Sequence, residues 1–308
     1  MRVVFMGTPD FAVPCLQKLI DCGHEVTGVF TQPDKPQGRK MILTPPPVKE
    51  LALANNIKVY QPVKMRDGSA LEMLREANPE LVIVVAYGKI LPKEILEFPK
   101  YGCINIHASL LPSLRGAAPI QWSVINGCEK TGVTSMQMEE GLDTVDMLIK
   151  AETEIGINET AGELHDRLSV MGAEVLEETI DALLKGELHP EKQNHEIFTY
   201  APMLSKELSP IDWNCTAAEI HNKIRGLSPW PSANTVICGK KVKIHKSILS
   251  DEKGAGAGEI MVADKKLIVS CGDSKCIEIV ELQAEGKKSM LAADYLRGNP
   301  VEKGTVIG

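Results

Sequence analysis

The sequence contains few aromatic residues, no long apolar run and no excess of positive charge. Aromatics make up 4% of its 308 residues, hydrophobic residues 44%, and the mean hydropathy is −0.06. No window approaches the roughly 18 uninterrupted apolar residues that a membrane-spanning helix needs, and the first residues lack a secretory cleavage pattern. The apolar fraction is too high for a disordered chain. We therefore expect a globular, cytoplasmic protein with no membrane partner.

The cysteines form no metal-binding or disulfide pattern. Eight are present without a Cys-x-x-Cys pair, and Cys271 and Cys276 have four residues between them with no second pair following. Zinc knuckles need two closely spaced pairs, and a chain of this length can bury a core without disulfides. The prediction is reduced, structural thiols and no bound metal.

The charge balance argues against a protein that coats nucleic acid generally. Thirty-four Lys and Arg stand against 41 Asp and Glu, which gives a net charge of −7. Neutralising phosphates requires clustered cations. The acidic excess lies in the first 190 residues, so a specific nucleic-acid partner is permitted by the charge but not indicated by it.

Short apolar runs alternate with helical patterns through the first half of the chain. The predicted strands are Val3–Met6, Glu25–Phe30, Leu81–Ala86, Cys103–Ile106 and Gly132–Met138. The predicted helices are Phe11–Cys22, Val48–Asn55, Ser69–Ala77, Lys93–Phe98, Ala118–Asn126 and Thr160–Leu184. This alternation predicts an α/β domain with a Rossmann-like, parallel-rich sheet and helices on both faces.

The pattern changes near residue 189. Residues 189–208 carry two prolines and no sustained period, which indicates a linker. After the helical piece Thr216–Arg225, Gly-rich turns separate five short strand-like runs: Thr235–Cys238, Lys241–Ile244, Glu259–Val262, Lys266–Cys271 and Cys276–Leu282. Such spacing predicts a small, OB-like β-barrel. The expected domains are therefore residues 1–188 and 209–308.

The loop after the first predicted strand excludes a dinucleotide site. It reads Gly7-Thr8-Pro9-Asp10-Phe11, with one glycine followed by a proline and an acid. The dinucleotide fingerprint needs three spaced glycines so that the backbone can approach a pyrophosphate, and Asp10 would repel that anion. The sequence thus argues against nicotinamide, flavin and nucleoside triphosphate chemistry.

Three polar residues of different chemistry follow two of the predicted strands. Asn105 and His107 share one face at the carboxyl end of their strand, and Asp143 lies in the loop after Gly132–Met138. An amide can donate to a developing oxyanion, an imidazole can move a proton, and a carboxylate can orient that imidazole. Taken singly, the Asn-x-His pair also fits two satisfied polar residues, and Asp143 also fits a turn.

Residues around this constellation resemble the folate-dependent formyltransferases over essentially the whole chain. The matching segments are Met6–Ala12, Thr31–Arg39, Val85–Pro92, Asn105–Pro112, Arg115–Ile120, Gly141–Thr144, Ile211–Trp213 and Ser228–Pro231. The Asn-x-His pair with its downstream Asp marks the family, and the loop around Arg39 narrows the resemblance to the branch that acts on transfer RNA. One departure is Ser113-Leu114, where the family usually has a basic residue and an aromatic.

The resemblance implies transfer of the formyl group of 10-formyltetrahydrofolate, a co-substrate, to the α-amino group of methionine on initiator tRNA. The residues that match the family's catalytic set are Asn105, His107 and Asp143. Those that match its folate site are Ser109, Leu110, Leu111 and Pro112. The second domain is implied to bind tRNA, and we expect a monomer.

The segment between Gln32 and Lys49 is basic, rich in proline and too long for an ordinary connection. By resemblance its residues enter the acceptor stem of tRNA, and the implied contacts are Lys35, Arg39, Lys40 and, in the linker, Lys206. For such lysines a solvated surface is the alternative. The resemblance also implies that Phe11 helps to form the methionine side-chain pocket, for which a role in the core is an equal alternative.

Other functions are compatible with the same catalytic residues. A sugar-nucleotide N-formyltransferase would share them but lack the basic, proline-rich loop, and a hydrolase would use water as the acceptor. A non-catalytic RNA-binding protein would not need an intact Asn105, His107 and Asp143. A formyl-transfer assay separates these alternatives.

Overall fold

A computed structural model describes residues 1–38, 41–139, 146–194 and 196–308. Two compact units divide the chain. Unit 1 comprises residues 1–116, 132–153 and 165–200, and unit 2 comprises residues 117–131, 154–164 and 201–308. Two segments from the first half of the sequence therefore group with the C-terminal residues. That residues 1–188 and 209–308 fold as independent domains stays a prediction.

Most of the elements before residue 189 belong to unit 1. The strands are β1 Arg2–Gly7, β2 Glu25–Phe30, β3 Lys35–Gln37, β4 Ile42–Thr44, β5 Val59–Tyr60, β6 Leu81–Val85, β7 Cys103–His107, β8 Arg115–Gly116, β9 Lys130–Gln137 and β10 Met147–Glu154. The helices are α1 Val13–Asp21, α2 Pro47–Ala54, α3 Ser69–Ala77, α4 Lys93–Leu96, α5 Pro119–Ile125 and α6 Ala161–Lys185. A 3-10 turn, Asp10–Ala12, precedes α1.

Seven strands form the sheet of unit 1 in the order β10-β9-β7-β6-β1-β2-β5. The five strands from β7 to β5 are parallel, which confirms the α/β, parallel-rich sheet. All five residues of β6 are buried, as expected for a central parallel strand with both faces covered. Gly7 ends β1 where a Cβ would lie 2.9 Å from the Val85 carbonyl oxygen, so close packing requires this glycine.

The direction of β9 determines which strand ends are neighbours beside β7. β9 runs antiparallel to β7, with Gln137 opposite Ile104 and Thr134 opposite His107. The carboxyl end of β9 therefore lies beside the amino end of β7, and the two strands do not deliver their following loops to one edge. Asp143 itself lies outside the described residues, so its approach to His107 stays a prediction.

The basic segment between β2 and α2 contains a hairpin that sequence patterns did not indicate. β3 pairs antiparallel with β4, with Lys35 opposite Thr44 and residue 37 opposite Ile42. Arg39 and Lys40 stand between these strands in the sequence and lie outside the described residues. Residue 36 is a proline, which is uncommon inside strands, so the sequence pattern does not indicate a strand there.

Most of the strands after residue 188 are antiparallel and belong to unit 2. The strands after residue 188 are β11 Tyr200–Ala201, β12 Ala233–Ile237, β13 Lys240–Ser250, β14 Ile260–Ala263, β15 Leu267–Ser270, β16 Cys276–Ala284 and β17 Met290–Leu291. The helices are α7 Ala217–Gly226 and α8 Ala292–Gly298, with a 3-10 turn at Lys206–Leu208. The sheet order is β12-β13-β16-β15-β14, and β17 pairs with β16.

The predicted OB-like barrel is open rather than closed by strand pairing. Within the described parts of unit 2, β12 and β14 are the two ends of the sheet and do not pair with each other. The last residues of the chain bridge them instead. Ile260 N donates to Thr305 O at 2.8 Å, and Gly308 N donates to Val236 O at 3.2 Å. This tail protects the exposed edges that an open sheet would leave.

A capping box fixes the start of α7, where the Thr216 hydroxyl accepts from Glu219 N while the Glu219 carboxylate accepts from Thr216 N.

All eight cysteines are free thiols. In the described ranges no group of three or more His, Cys, Asp or Glu is arranged to hold a metal ion. Among those same residues no helix is both long and apolar enough to cross a membrane.

Candidate active site

Asn105 and His107 lie on β7, next to the centre of the parallel sheet. Because they are two residues apart on a strand, their side chains project from the same face. Asn105 is half-buried and His107 is 7% exposed. His107 Nε2 lies 3.1 Å from the Leu114 carbonyl oxygen. A carbonyl only accepts hydrogen bonds, so Nε2 is the protonated nitrogen and a neutral imidazole keeps its lone pair on Nδ1.

The turn after β7 is anchored through Thr134 on β9. The Thr134 hydroxyl donates to Ser109 O at 2.7 Å and accepts from Leu111 N at 3.2 Å. The Ser109 hydroxyl donates to Ser113 O at 2.7 Å. These bonds hold the backbone of residues 109–113 in place. No motif indicated Thr134, because its importance comes from the antiparallel register of β9.

The four residues expected to line a folate site divide into two kinds. Ser109 and Leu111 are buried, and Leu111 packs with Met136 and Met147 in a small core cluster. Leu110 and Pro112 are half-buried. The side chains of Ser109 and Leu111 therefore pack in the protein interior, and folate contact by the four residues stays a prediction.

Arg115 is a buried cation that the sequence showed only as part of a motif. It is 5% exposed, and its Nε and Nη2 donate to Gln193 Oε1 at 3.0 and 2.7 Å. The guanidinium lies 4.8 Å from the ring centroid of Phe198, a cation–π contact. The neighbouring Leu114 N donates to the Thr199 hydroxyl at 2.8 Å. Gln193, Phe198 and Thr199, interpreted as part of the linker, thus support the turn that holds His107.

A second polar region lies where β1 and β2 end. A cleft of about 310 Å³ there is lined by Thr8, Pro9, Asp10, Gln32, Pro33, Lys35, Thr44, Pro46 and Pro47. Lys35 is exposed, and its Nζ donates to Gln32 Oε1 at 2.8 Å. Lys49 forms an ion pair with Asp34 at 2.8 Å. Lys49 is therefore neutralised at the base of the hairpin and does not add to its positive charge.

Phe11 and Lys206 occupy different surroundings. Phe11 is 6% exposed and meets the His165 ring edge-on, with 5.3 Å between centroids. Lys206 is exposed on the short 3-10 turn in unit 2. Burial shows that Phe11 takes part in the core, and its contribution to a methionine pocket stays a prediction, as does the tRNA contact of Lys206.

Comparison with known proteins identifies the family. The formyl transferase model matches residues 1–180, and the model of the formyl transferase C-terminal domain matches residues 203–300. The chain belongs to the formyl transferase family. It is 52% identical over 309 residues to the methionyl-tRNA formyltransferase of Clostridioides difficile, covering all of both chains. It is 49% identical to that of Bacillus subtilis, covering 100% of this chain and 98% of the other.

A solved structure extends the likeness in fold. The N-formyltransferase from Helicobacter canadensis, in complex with folinic acid and dTDP-3-aminofucose, superposes with a TM-score of 0.71. It shares 22% sequence identity, and the match covers 92% of this chain and 98% of that one. At this identity the similarity establishes the shared fold.

Proposed function

We propose that this chain transfers the formyl group of 10-formyltetrahydrofolate to the α-amino group of methionine carried by initiator tRNA. Relatives about half identical over the full length are methionyl-tRNA formyltransferases. This identity, together with the basic hairpin after β2, favours a tRNA acceptor over a sugar nucleotide. A cytoplasmic location and a monomeric state accompany the proposal as predictions.

The observation that carries the chemistry is the placement of Asn105 and His107. A half-buried amide and a buried imidazole share one face at the end of a rigid central strand. Attack of an amine on the formyl carbon places negative charge on the formyl oxygen and positive charge on nitrogen. Asn105 would donate a hydrogen bond to that oxygen. The lone pair on His107 Nδ1 would take the proton from the nitrogen and return it to the departing folate amine.

Asp143 would hold His107 in its orientation, a role that the family resemblance implies. The turn at residues 109–112 would bind the folate co-substrate with its backbone and with Leu110 and Pro112. That turn is fixed by Thr134 before any ligand arrives. A preformed site of this kind loses little free energy to ordering when the ligand binds.

The tRNA acceptor would be held by scattered cations rather than by one basic face. Lys35, Arg39 and Lys40 belong to the hairpin segment, and Lys206 lies in unit 2. A chain of net charge −7 fits a small number of localised phosphate contacts better than a broad basic surface. Such contacts position a nucleic acid without reading its sequence.

Stoichiometry distinguishes formyl transfer from hydrolysis. Tetrahydrofolate and formyl-methionyl-tRNA should appear in equal amounts when the purified protein is mixed with the donor and charged initiator tRNA. Tetrahydrofolate that accumulates with formate, and without formylated tRNA, would contradict the proposal and favour water as the acceptor.

A further inference from the structure

The hairpin formed by β3 and β4 has little structure of its own to orient it. Each strand has three residues, and Met41, Ile42 and Leu43 are 68%, 61% and 63% exposed. An isolated two-stranded hairpin is marginally stable in water. The orientation of this hairpin must therefore be determined by the contacts at its base.

Gln61, in the loop after β5, makes four hydrogen bonds at that base. Its Nε2 lies 3.0 Å from Thr31 Oγ1, 2.9 Å from Gln32 O and 2.8 Å from Asp34 Oδ1. Its Oε1 accepts from Lys49 Nζ at 3.0 Å. The Gln61 amide thus forms hydrogen bonds both to the segment that enters the hairpin and to Lys49 in α2, the helix that follows it.

Asp34 and Lys49 connect the two ends of the hairpin segment. Asp34 precedes β3, and Lys49 belongs to α2 after β4. Lys49 Nζ lies 2.8 Å from both carboxylate oxygens of Asp34. Hydrogen bonds from Lys49 and then from Gln61 hold the pKa of Asp34 below its ordinary value. The Asp34–Lys49 ion pair therefore joins the start of the hairpin segment to its end, and Gln61 forms hydrogen bonds to both residues.

Gln32 connects the hairpin base to the loops that follow β1 and β6. Its Nε2 donates to Tyr87 O at 3.0 Å, and its backbone N donates to the Thr8 hydroxyl at 3.2 Å. A Cβ on Gly88, whose φ is +73°, would lie 2.5 Å from Gln32 Nε2. The loops after β1, β2 and β6 therefore meet at the hairpin base.

We infer that Gln61 is a positioning residue for the tRNA acceptor: it fixes the base of the β3–β4 hairpin so that the two strands, with Lys35, meet the acceptor in one orientation. The inference rests on the proposed function. A hairpin oriented in advance lowers the free energy that ordering would cost on binding. Gln61 would act on tRNA through the hairpin and would not touch the reacting atoms.

The neutrality of the amide is part of this role. Gln61→Glu would keep an acceptor for Lys49, but it would lose the two N–H donors that face the three oxygens and would place a second carboxylate beside Asp34. Gln61→Ala would remove all four hydrogen bonds. We expect both variants to weaken the hairpin base while leaving the turn at residues 109–113 unaltered.

Steady-state kinetics test the inference. Gln61→Ala should raise the KM for methionyl-tRNA about tenfold, as expected when a binding group is misplaced, with the Kd for tetrahydrofolate unchanged. The matched control is Gln17→Ala on α1, which removes an exposed side-chain bond to Asp21 and should leave both constants at the wild-type value. An unchanged KM for tRNA in Gln61→Ala, or an equal loss of folate binding, would overturn the inference.

A double-mutant cycle shows whether Gln61 acts through the hairpin. If it does, Gln61→Ala combined with Arg39→Ala should have a KM within about twofold of Arg39→Ala alone, because coupled residues are not additive. Independent, multiplying effects would overturn the positioning role while leaving the proposed function intact. An Arg39→Ala variant with the wild-type KM would instead remove the tRNA role of the hairpin, and the inference with it.

Discussion

At the scale of single residues, the proposed chemistry depends on which nitrogen of His107 carries the proton. The Leu114 carbonyl decides this by accepting from Nε2. Leu114 has a φ of +59°, a left-handed conformation that costs a non-glycine residue about 1–2 kcal/mol. The Thr199 hydroxyl, which accepts from Leu114 N, helps to hold it there. In this strained conformation the Leu114 carbonyl oxygen faces the imidazole of His107.

Removing either of the side chains proposed to be catalytic should reduce turnover without removing the fold. Asn105→Ala loses the donor to the developing oxyanion and His107→Ala loses the proton carrier, and each should lower kcat by about a hundredfold or more. Circular dichroism and tetrahydrofolate binding control for folding. Near-normal turnover in a folded variant would show that the residue is not catalytic.

At the scale of elements, the β3–β4 hairpin contains the cations assigned to tRNA. Arg39→Ala should raise the KM for methionyl-tRNA while folate binding persists. The loss of one phosphate contact should also reduce the slope of log KM against log salt concentration by about 1. Equal weakening of tRNA and folate would contradict this assignment. The measurement is a salt series at saturating donor.

The start of α6 should contribute stability that depends on pH. Hydrogen bonds from Thr160 N, and then from Lys246 Nζ, lower the pKa of Glu163 to about 2. A depressed pKa stabilises the fold above the ordinary value near 4.5, and this stability is lost as the pH falls toward 2. Glu163→Gln should cost about 1 kcal/mol at pH 7, given its exposure.

The difference between Glu163→Gln and the wild type should disappear in urea unfolding as the pH falls from about 4.5 to about 2, where the native Glu163 is itself protonated. Glu178→Gln, an exposed substitution in the same helix, is the matched control. A stability difference that stays constant with pH would mean that the charge on Glu163 does not stabilise the helix.

The packing of α5 against α7 depends on a glycine. A Cβ on Gly226 would lie 2.5 Å from Ile125 Cγ1 and 2.9 Å from Ile125 N. Gly226→Ala should therefore lower the free energy of unfolding by about 1–3 kcal/mol. Gly298→Ala, at the end of α8 with no atom within 4 Å of the added Cβ, should be neutral or stabilising. Equal effects in thermal unfolding would refute the packing argument.

At the scale of the whole molecule, apolar runs predicted the buried strands well. β2 has its predicted bounds, and the predicted α3 is unchanged. Buried parallel strands such as β6 are recognisable because both faces are apolar. The antiparallel strands were harder to predict. β13 runs over Lys240–Ser250, well beyond the predicted Lys241–Ile244, because a β-bulge after Ile244 breaks the alternation of its side chains. β10 was missed because its second half, from Lys150 to Glu154, is mostly polar.

The candidate site was predictable only in part. Asn105 and His107 stood out by residue type and by their place at the end of a strand. Thr134, Leu114 O and Gln193 support them through register and tertiary contact, which no local pattern reports. The antiparallel direction of β9 could not be predicted either, because strand direction cannot be read from hydrophobicity.

The central claim is the acceptor, and parallel transfer assays test it most directly. The purified protein is given 10-formyltetrahydrofolate with methionyl initiator tRNA in one reaction and an amino-sugar nucleotide in the other. Rapid formylation of the aminoacyl-tRNA alone is the predicted result. Transfer to the sugar nucleotide alone would keep Asn105, His107 and the fold but contradict the tRNA role of the hairpin and the function proposed for this chain.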